Sequence, residues 1–267
     1  MPEAPPSKRH PDDYPRAALV TGAARRIGRA IALDLARDGW AVAVHYNSSA
    51  AEAEATVASI TGSGGRAVAL QADLAAEAET EALLPRAAEA LGPLGCLVNC
   101  ASTFELDLVD GVTRQSWDLH MEPNLRAPFV LSQAFARALP DDQGGVIVNL
   151  LDQRVWNLTP FFVSYSLSKA GLWTLTRTLA LALAPRVRVN GIGPGPSLPS
   201  PRQSQVQFDR QCARMPLGRG TTPEEIAAAV RFILAAKAMT GQMIALDGGQ
   251  HLGWAQSEYG NRFPPDE

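Results

Sequence analysis

Apolar residues come along this chain in short runs that alternate with longer, alanine-rich stretches of helical period. A short continuous apolar run reads as a strand buried on both faces of a parallel sheet, and a period near 3.6 reads as a helix covering it. The pattern predicts strands at residues 17–20, 41–46, 67–71, 96–99, 146–150, 188–192 and 243–246. It predicts helices between them at 27–38, 50–60, 77–91, 115–139, 165–184 and 223–236. Alternation of this kind defines an α/β fold: a doubly wound, Rossmann-like parallel sheet of seven strands with helices on both faces.

Residues 195–215 break the alternation, being rich in Pro, Ser and Gln with few apolar positions. Long irregular stretches in compact domains are usually lids or binding loops, so a substrate loop is expected there, with a passive surface excursion as the alternative. The first 15 residues scatter Pro2, Pro5, Pro6, Pro11 and Pro15 among charges, and predict a disordered arm ahead of one domain spanning residues 16–267. The polar end beyond residue 257 carries Tyr259 and Phe263 which, with Trp254, are candidates for docking on a neighbouring surface. No internal repeat is visible.

At 267 residues the chain is long enough to bury roughly 70–75% of its unfolded surface in one core. Its 24 basic and 27 acidic residues leave a net charge of −3, and no run of Lys or Arg exceeds two. That balance points to a small-molecule substrate and away from nucleic acid or an anionic membrane. No apolar run reaches the roughly 18 residues of a membrane span, and the start lacks the apolar core of a signal peptide. Cys96, Cys100 and Cys212 form no metal-like cluster. An odd number of thiols in a chain this size fits a reducing compartment, so a cytoplasmic protein without a metal is expected.

The chemistry concentrates in three places. Tyr165 and Lys169 lie four apart on one helix face, where an ammonium favours the ionised phenol and makes it a proton donor. Asp152 follows a predicted strand. The turn from Thr21 to Gly28 lies between a strand and a helix, the setting in which backbone amides hold a pyrophosphate, although a plain corner would use Gly22 and Gly28 equally. The second strand ends His45-Tyr46-Asn47-Ser48-Ser49 with no acid for a ribose hydroxyl. Hydroxyls, an amide and Arg26 suit a 2′-phosphate instead, which selects NADPH. His45 is either a titrating switch or a structural imidazole. Asp73, before Leu74, either accepts from an adenine amino group or caps the next helix.

Several pieces in order carry a family resemblance: Thr21-Gly22 with Gly28, Asp73, Asn99-Cys100-Ala101-Ser102, Asn124, Tyr165 with Lys169, Pro194-Gly195, and Leu246-Asp247-Gly248-Gly249. From residue 17 to about 249 the chain resembles the short-chain dehydrogenase/reductases. Three departures from the commonest family pattern narrow the resemblance. Arg26 replaces the usual middle glycine, Ser102 the usual glycine after Asn-x-Ala, and Asp152 the usual catalytic serine. All three are similar to the pteridine reductases and bacterial dihydropteridine reductases, as is the segment 44–53.

The resemblance implies a cofactor lying along Gly22, Arg26, Ile27 and Gly28, then His45, Tyr46, Asn47, Ser48 and Ser49, then Asp73, Leu74 and Asn99. It continues along Ala101, Ser102, Tyr165, Lys169, Pro194, Gly195 and Ser197. NADPH would deliver hydride and Tyr165 the proton. Lys169 would lower the tyrosine's pKa and bond the ribose, Asn124 would hold a water linking Lys169 to solvent, and Asp152 would complete the relay. Phe104 would stack on a pterin ring, with Trp156 and Phe161 or Phe162 lining the pocket, in a homotetramer assembled helix to helix. An ionised aspartate cannot donate to a ketone oxygen, so Asp152 disfavours a carbonyl substrate and favours reduction of a C=N bond. The rivals are a carbonyl reductase that tolerates Asp152, and a nucleotide-binding sensor without turnover.

Overall fold

The computed structural model describes residues 14–253; the remainder of the predicted arm, and the tail with Trp254, Tyr259 and Phe263, lie outside the described residues. The strands are β1 (Ala17–Val20), β2 (Ala41–Tyr46), β3 (Ala67–Gln71), β4 (Cys96–Asn99), β5 (Gly145–Leu150), β6 (Val187–Pro194) and β7 (Met243–Leu246). They form one sheet in the order β3-β2-β1-β4-β5-β6-β7, every pair parallel. The strand order reverses between β1 and β4, so a crevice opens there at the carboxyl ends.

Helices α1 (Arg26–Arg37), α2 (Ala50–Gly62), α3 (Glu77–Leu91), α4 (Arg114–Met121), α5 (Ala127–Ala138), α6 (Val163–Ala182), α7 (Gln205–Ala213) and α8 (Pro223–Ala235) complete the chain. Successive strand residues point to opposite faces, and each face has its own core. Ala18, Val20, Val42 and Val44 pack with Ile31, Leu35, Ile226 and Ile233, whereas Ala17, Leu19 and Leu97 pack with Leu83, Leu84, Leu131 and Phe135. A one-residue slip would exchange the two sets, so burial on both sides fixes the register.

Four predicted boundaries are corrected. The helix expected at 115–139 is two helices joined by a π-helical turn at Glu122–Arg126. Pro123 has no amide to give and crowds the preceding turn, so the helix widens locally, and Asn124 becomes fully buried. The segment read as irregular from 195 to 215 contains α7, started by a Ser204–Gln207 capping box. Strand β6 runs on to Pro194, paired with Leu246. Tyr14 and Pro15, assigned to the arm, belong to the folded unit: the Tyr14 hydroxyl donates to the Leu234 carbonyl at 2.5 Å and its ring stacks on Trp40. Among the described residues no helix is long and apolar enough to cross a membrane.

Candidate active site

A cavity of about 680 Å³ occupies the crevice beyond the carboxyl ends of the strands. The Thr21–Gly28 turn forms its floor. Gly22 has φ +64, and a Cβ there would lie 2.9 Å from the Ala101 Cα; a Cβ on Gly28 would lie 2.2 Å from the Gly22 carbonyl oxygen. Only glycine fits either position, which leaves exposed backbone where a phosphate needs close approach. His45 fastens this turn: its Nδ1 accepts from the Gly22 amide at 3.0 Å, so its proton is on Nε2, which donates to the Ala72 carbonyl at 3.0 Å. Burial pushes the imidazole down to about 4. Of the two readings of His45, the structural one holds at neutral pH.

Tyr46, Asn47, Ser48 and Ser49 line the wall that continues from the turn, as do Asp73 and Leu74. Asp73 Oδ1 accepts from the Ala75 amide at 3.0 Å, so this side chain shapes the entry to α3 while facing the cavity. Arg26 also lines the cavity, and its side chain is engaged by the segment before α7. Its backbone is left-handed (φ 53), and its guanidinium donates to the Pro199 carbonyl at 3.0 Å and the Leu198 carbonyl at 3.4 Å. Arg25, which sequence reasoning passed over, lines the cavity and lies 3.8 Å from Glu52 of α2, on the side where Ser48 and Ser49 stand.

The reacting end is assembled from β5 and α6. Asp152 follows β5, and the i, i+4 spacing on α6 brings Tyr165 and Lys169 to face it. The Tyr165 hydroxyl donates to Asp152 Oδ2 at 2.8 Å, and Lys169 Nζ donates to the Leu150 carbonyl at 2.8 Å. Burial lowers the Lys169 ammonium to about 8, and the Asp152 charge opposes that fall. Arg154 braces the carboxylate, its amide donating to Oδ1 at 2.7 Å and its guanidinium to Oδ2 at 3.2 Å. Nothing in the sequence pattern singled out Arg154.

Phe104 lines the cavity beside this cluster, edge-on to Tyr165 at 4.7 Å between centroids and stacked on Phe162 at 4.5 Å. Arg154 and Arg202 lie over its ring at 5.4 and 5.3 Å. Arg202, also missed, comes from the segment before α7, bonding Glu105 at 2.5 Å and the Phe104 carbonyl at 3.1 Å. Ala101, Ser102, Pro194, Gly195 and Ser197 border the same space. Cys100 does too, but burial pushes its thiol up to about 12, which removes it as a nucleophile.

Five residues expected at the site lie outside the lining: Asn99, Asn124, Trp156, and the pair Phe161 and Phe162, which are buried behind Phe104 in a cluster with Tyr165. Asn99 donates to Asn149 at 2.8 Å beneath the cavity. Asn124 bonds Thr103 through both its oxygen (2.8 Å) and its nitrogen (2.9 Å), and donates to Ser168 at 3.1 Å. It anchors the segment leading to Phe104. Trp156 turns away, its ring packing edge-on to Trp173 and His251. Among the described residues there is no cluster of three metal-ligating side chains.

A nucleotide cradle at a switch point, with Tyr and Lys at i, i+4 beside it, defines a hydride-transfer enzyme of the short-chain type. The family model described as enoyl-(acyl carrier protein) reductase matches residues 22–251, and the chain belongs to the short-chain dehydrogenase/reductase family. More particularly, it is similar to FolM alternative dihydrofolate reductase 1 of Brucella canis, solved in complex with NADP: 49% identity, TM-score 0.88, covering 91% of this chain and 96% of that one. A short-chain dehydrogenase of Burkholderia cenocepacia, also in complex with NADP, shares 38% identity with TM-score 0.81 over 87% and 96%. A 3-oxoacyl-[acyl-carrier-protein] reductase of Synechocystis sp. is 34% identical over 87% of this chain and 95% of its own length. The protein is accordingly an oxidoreductase related to NADP-binding, pteridine reductase-like members of that family.

Proposed function

We propose that this protein is an NADPH-dependent reductase of a pteridine, acting on the C=N bond of a dihydropterin or dihydrofolate-like ring. The observation that carries the reading is the Asp152 carboxylate held 2.8 Å from the Tyr165 hydroxyl, at the position where a ketone-reducing relative needs a donor. An ionised carboxylate has no proton to give and would repel a developing alkoxide. A ring nitrogen has the opposite need. When its neighbouring carbon takes hydride the nitrogen requires a proton, which Tyr165 Oη delivers while Asp152 orients that hydroxyl and returns a solvent proton to it. Lys169 lowers the cost of the transient phenolate. Phe104 supplies the flat wall against which a planar heterocycle stacks.

NADPH, when bound, supplies the hydride. Gly22 and Gly28 give its pyrophosphate room, Arg25 with Ser48 and Ser49 would hold the 2′-phosphate, and Lys169 the ribose. NADP in the solved relatives supports this choice of cofactor. The same reading takes the protein as a cytoplasmic homotetramer acting on a small molecule. The groove lined by Met121, Leu125, Phe129 and Leu175 supports the assembly as apolar surface for a second copy. The second reading, a carbonyl reductase, draws on the 34% identity to the 3-oxoacyl reductase.

Asp152→Ser separates the two. NADPH oxidation is followed with dihydrobiopterin, dihydrofolate and a small diketone. The variant keeps its affinity for NADPH while kcat on the pterin falls roughly 10²–10⁴-fold, and diketone turnover survives or rises. Ketone turnover alone in the unmodified protein overturns the pteridine reading.

A further inference from the structure

The helix that carries Tyr165 has no cap of its own. Helix α6 starts behind Phe162, a left-handed residue (φ 59) whose side chain accepts no hydrogen bond, and its first turn holds no acid. A helix start leaves amides without intrahelical partners, and burial makes each a liability. The partner comes from a distant segment. The Asp107 carboxylate accepts from the Ser164 amide, at 3.2 Å to Oδ1 and 3.3 Å to Oδ2, and also from the Ser164 hydroxyl. The Asp107 carbonyl accepts from the Phe162 amide at 2.9 Å.

His120 of α4 closes the network. Its Nε2 accepts from the Glu105 amide at 3.0 Å, so its proton is on Nδ1, which faces the Ser164 hydroxyl at 2.7 Å and the Ser116 carbonyl at 3.1 Å. Asp, His and Ser are the members of a hydrolytic triad, but here the serine stands between the other two and is 0% exposed. The arrangement fastens rather than attacks. What it fastens is the 103–107 segment, bearing Phe104, to the first turn of α6, bearing Tyr165.

We infer that Asp107 is a positioning residue for the reaction. By capping α6 from the Phe104 segment, through Ser164 and with His120 as brace, it sets the separation between the aromatic wall and the proton donor. The carboxylate reaches neither the cavity nor the reacting atoms; its effect is the 4.7 Å edge-to-face placement of Phe104 on Tyr165. The inference rests on the pteridine reading only for the choice of assay substrate.

Asp107→Ala and Asp107→Asn are compared in the full chain. The measurements are NADPH affinity by fluorescence, kinetics with dihydrobiopterin, and hydrogen exchange over residues 103–107 and 163–169. Asparagine keeps an acceptor and should stay within about threefold of the unmodified protein. Alanine should raise the dihydrobiopterin KM about tenfold, because a displaced Phe104–Tyr165 pair orients the ring less well, with NADPH affinity unchanged. Both segments should lose exchange protection together. Equal losses in NADPH affinity and pterin kinetics would overturn the inference, as would independent exchange of the two segments. If dihydrobiopterin is not reduced at all, the pteridine reading fails by itself and the exchange data alone decide. If the alanine variant does not fold, Ser164→Ala, which removes only the hydroxyl, replaces it in the same comparison.

Discussion

Lys169 sets a pH limit on this site. Its ammonium titrates near 8 because burial penalises the charge and Asp152 only partly restores it. Once neutral, the amine no longer stabilises a phenolate at Tyr165, so kcat on the alkaline side should fall through about pH 8. Asp152→Asn removes the charge that supports the ammonium, which moves the fall to lower pH. A pH profile of single-turnover hydride transfer checks this, and an unmoved alkaline limb in the variant would show that Asp152 does not act on Lys169. At this scale the meeting of Asp152, Tyr165 and Lys169 was legible: i, i+4 spacing puts Tyr165 and Lys169 on one face of α6, and Asp152 follows a strand. Arg154 and Arg202 were not. Their positions over Phe104 depend on how a short 3₁₀ turn and the segment before α7 fold back, which no local period encodes.

Elements were legible in proportion to their apolar periodicity. Strands β1 to β4 and helix α3 begin and end where the pattern puts them, and for β1, β2 and β4 the reason is that both sheet faces demand apolar residues, whereas the edge strand β3 is only half-buried. Helix α7 escaped notice because none of its residues is buried, and a helix without an apolar stripe leaves no periodic trace. The π-helical turn escaped because Pro123 is accommodated by widening a helix, where a proline ordinarily ends one. The first turn of α1 is the element at which the sequence breaks its own rule. Arg26 occupies a left-handed position that costs a non-glycine residue roughly 1–2 kcal/mol. Its guanidinium spans to the Leu198 and Pro199 carbonyls, so the strain is tied to holding the loop before α7. Arg26→Gly should therefore keep Tm or raise it by a few degrees, while the substrate KM rises several-fold as that loop is released. Thermal unfolding and steady-state kinetics on one preparation test the split. A lower Tm with an unchanged KM would assign those contacts to the fold alone.

Across the whole molecule, the nucleotide cradle and the sheet share one acid-sensitive joint. His45 is the last buried side chain of β2, and through its two ring nitrogens it ties the Gly22 turn to Ala72 beyond β3, so three strand ends meet on one imidazole. Because Nδ1 must accept from an amide, only the neutral ring fits. The folded pKa of about 4 lies below the ordinary 6.5, so the unfolded chain binds the proton more readily. The sign follows: this contribution is fully present above about pH 6.5 and is lost as the pH falls towards 4. At about 1.4 kcal/mol for each pH unit, the loss is about 3 kcal/mol, a large share of the stability of an ordinary domain. Urea unfolding at pH 7 and pH 4.5 should show that drop in the unmodified protein. His45→Gln, whose amide oxygen can accept from Gly22 without titrating, should be less stable at pH 7 and markedly less sensitive to acid. If both proteins lose stability in parallel between the two pH values, the acid sensitivity resides in the carboxylates and not in this joint.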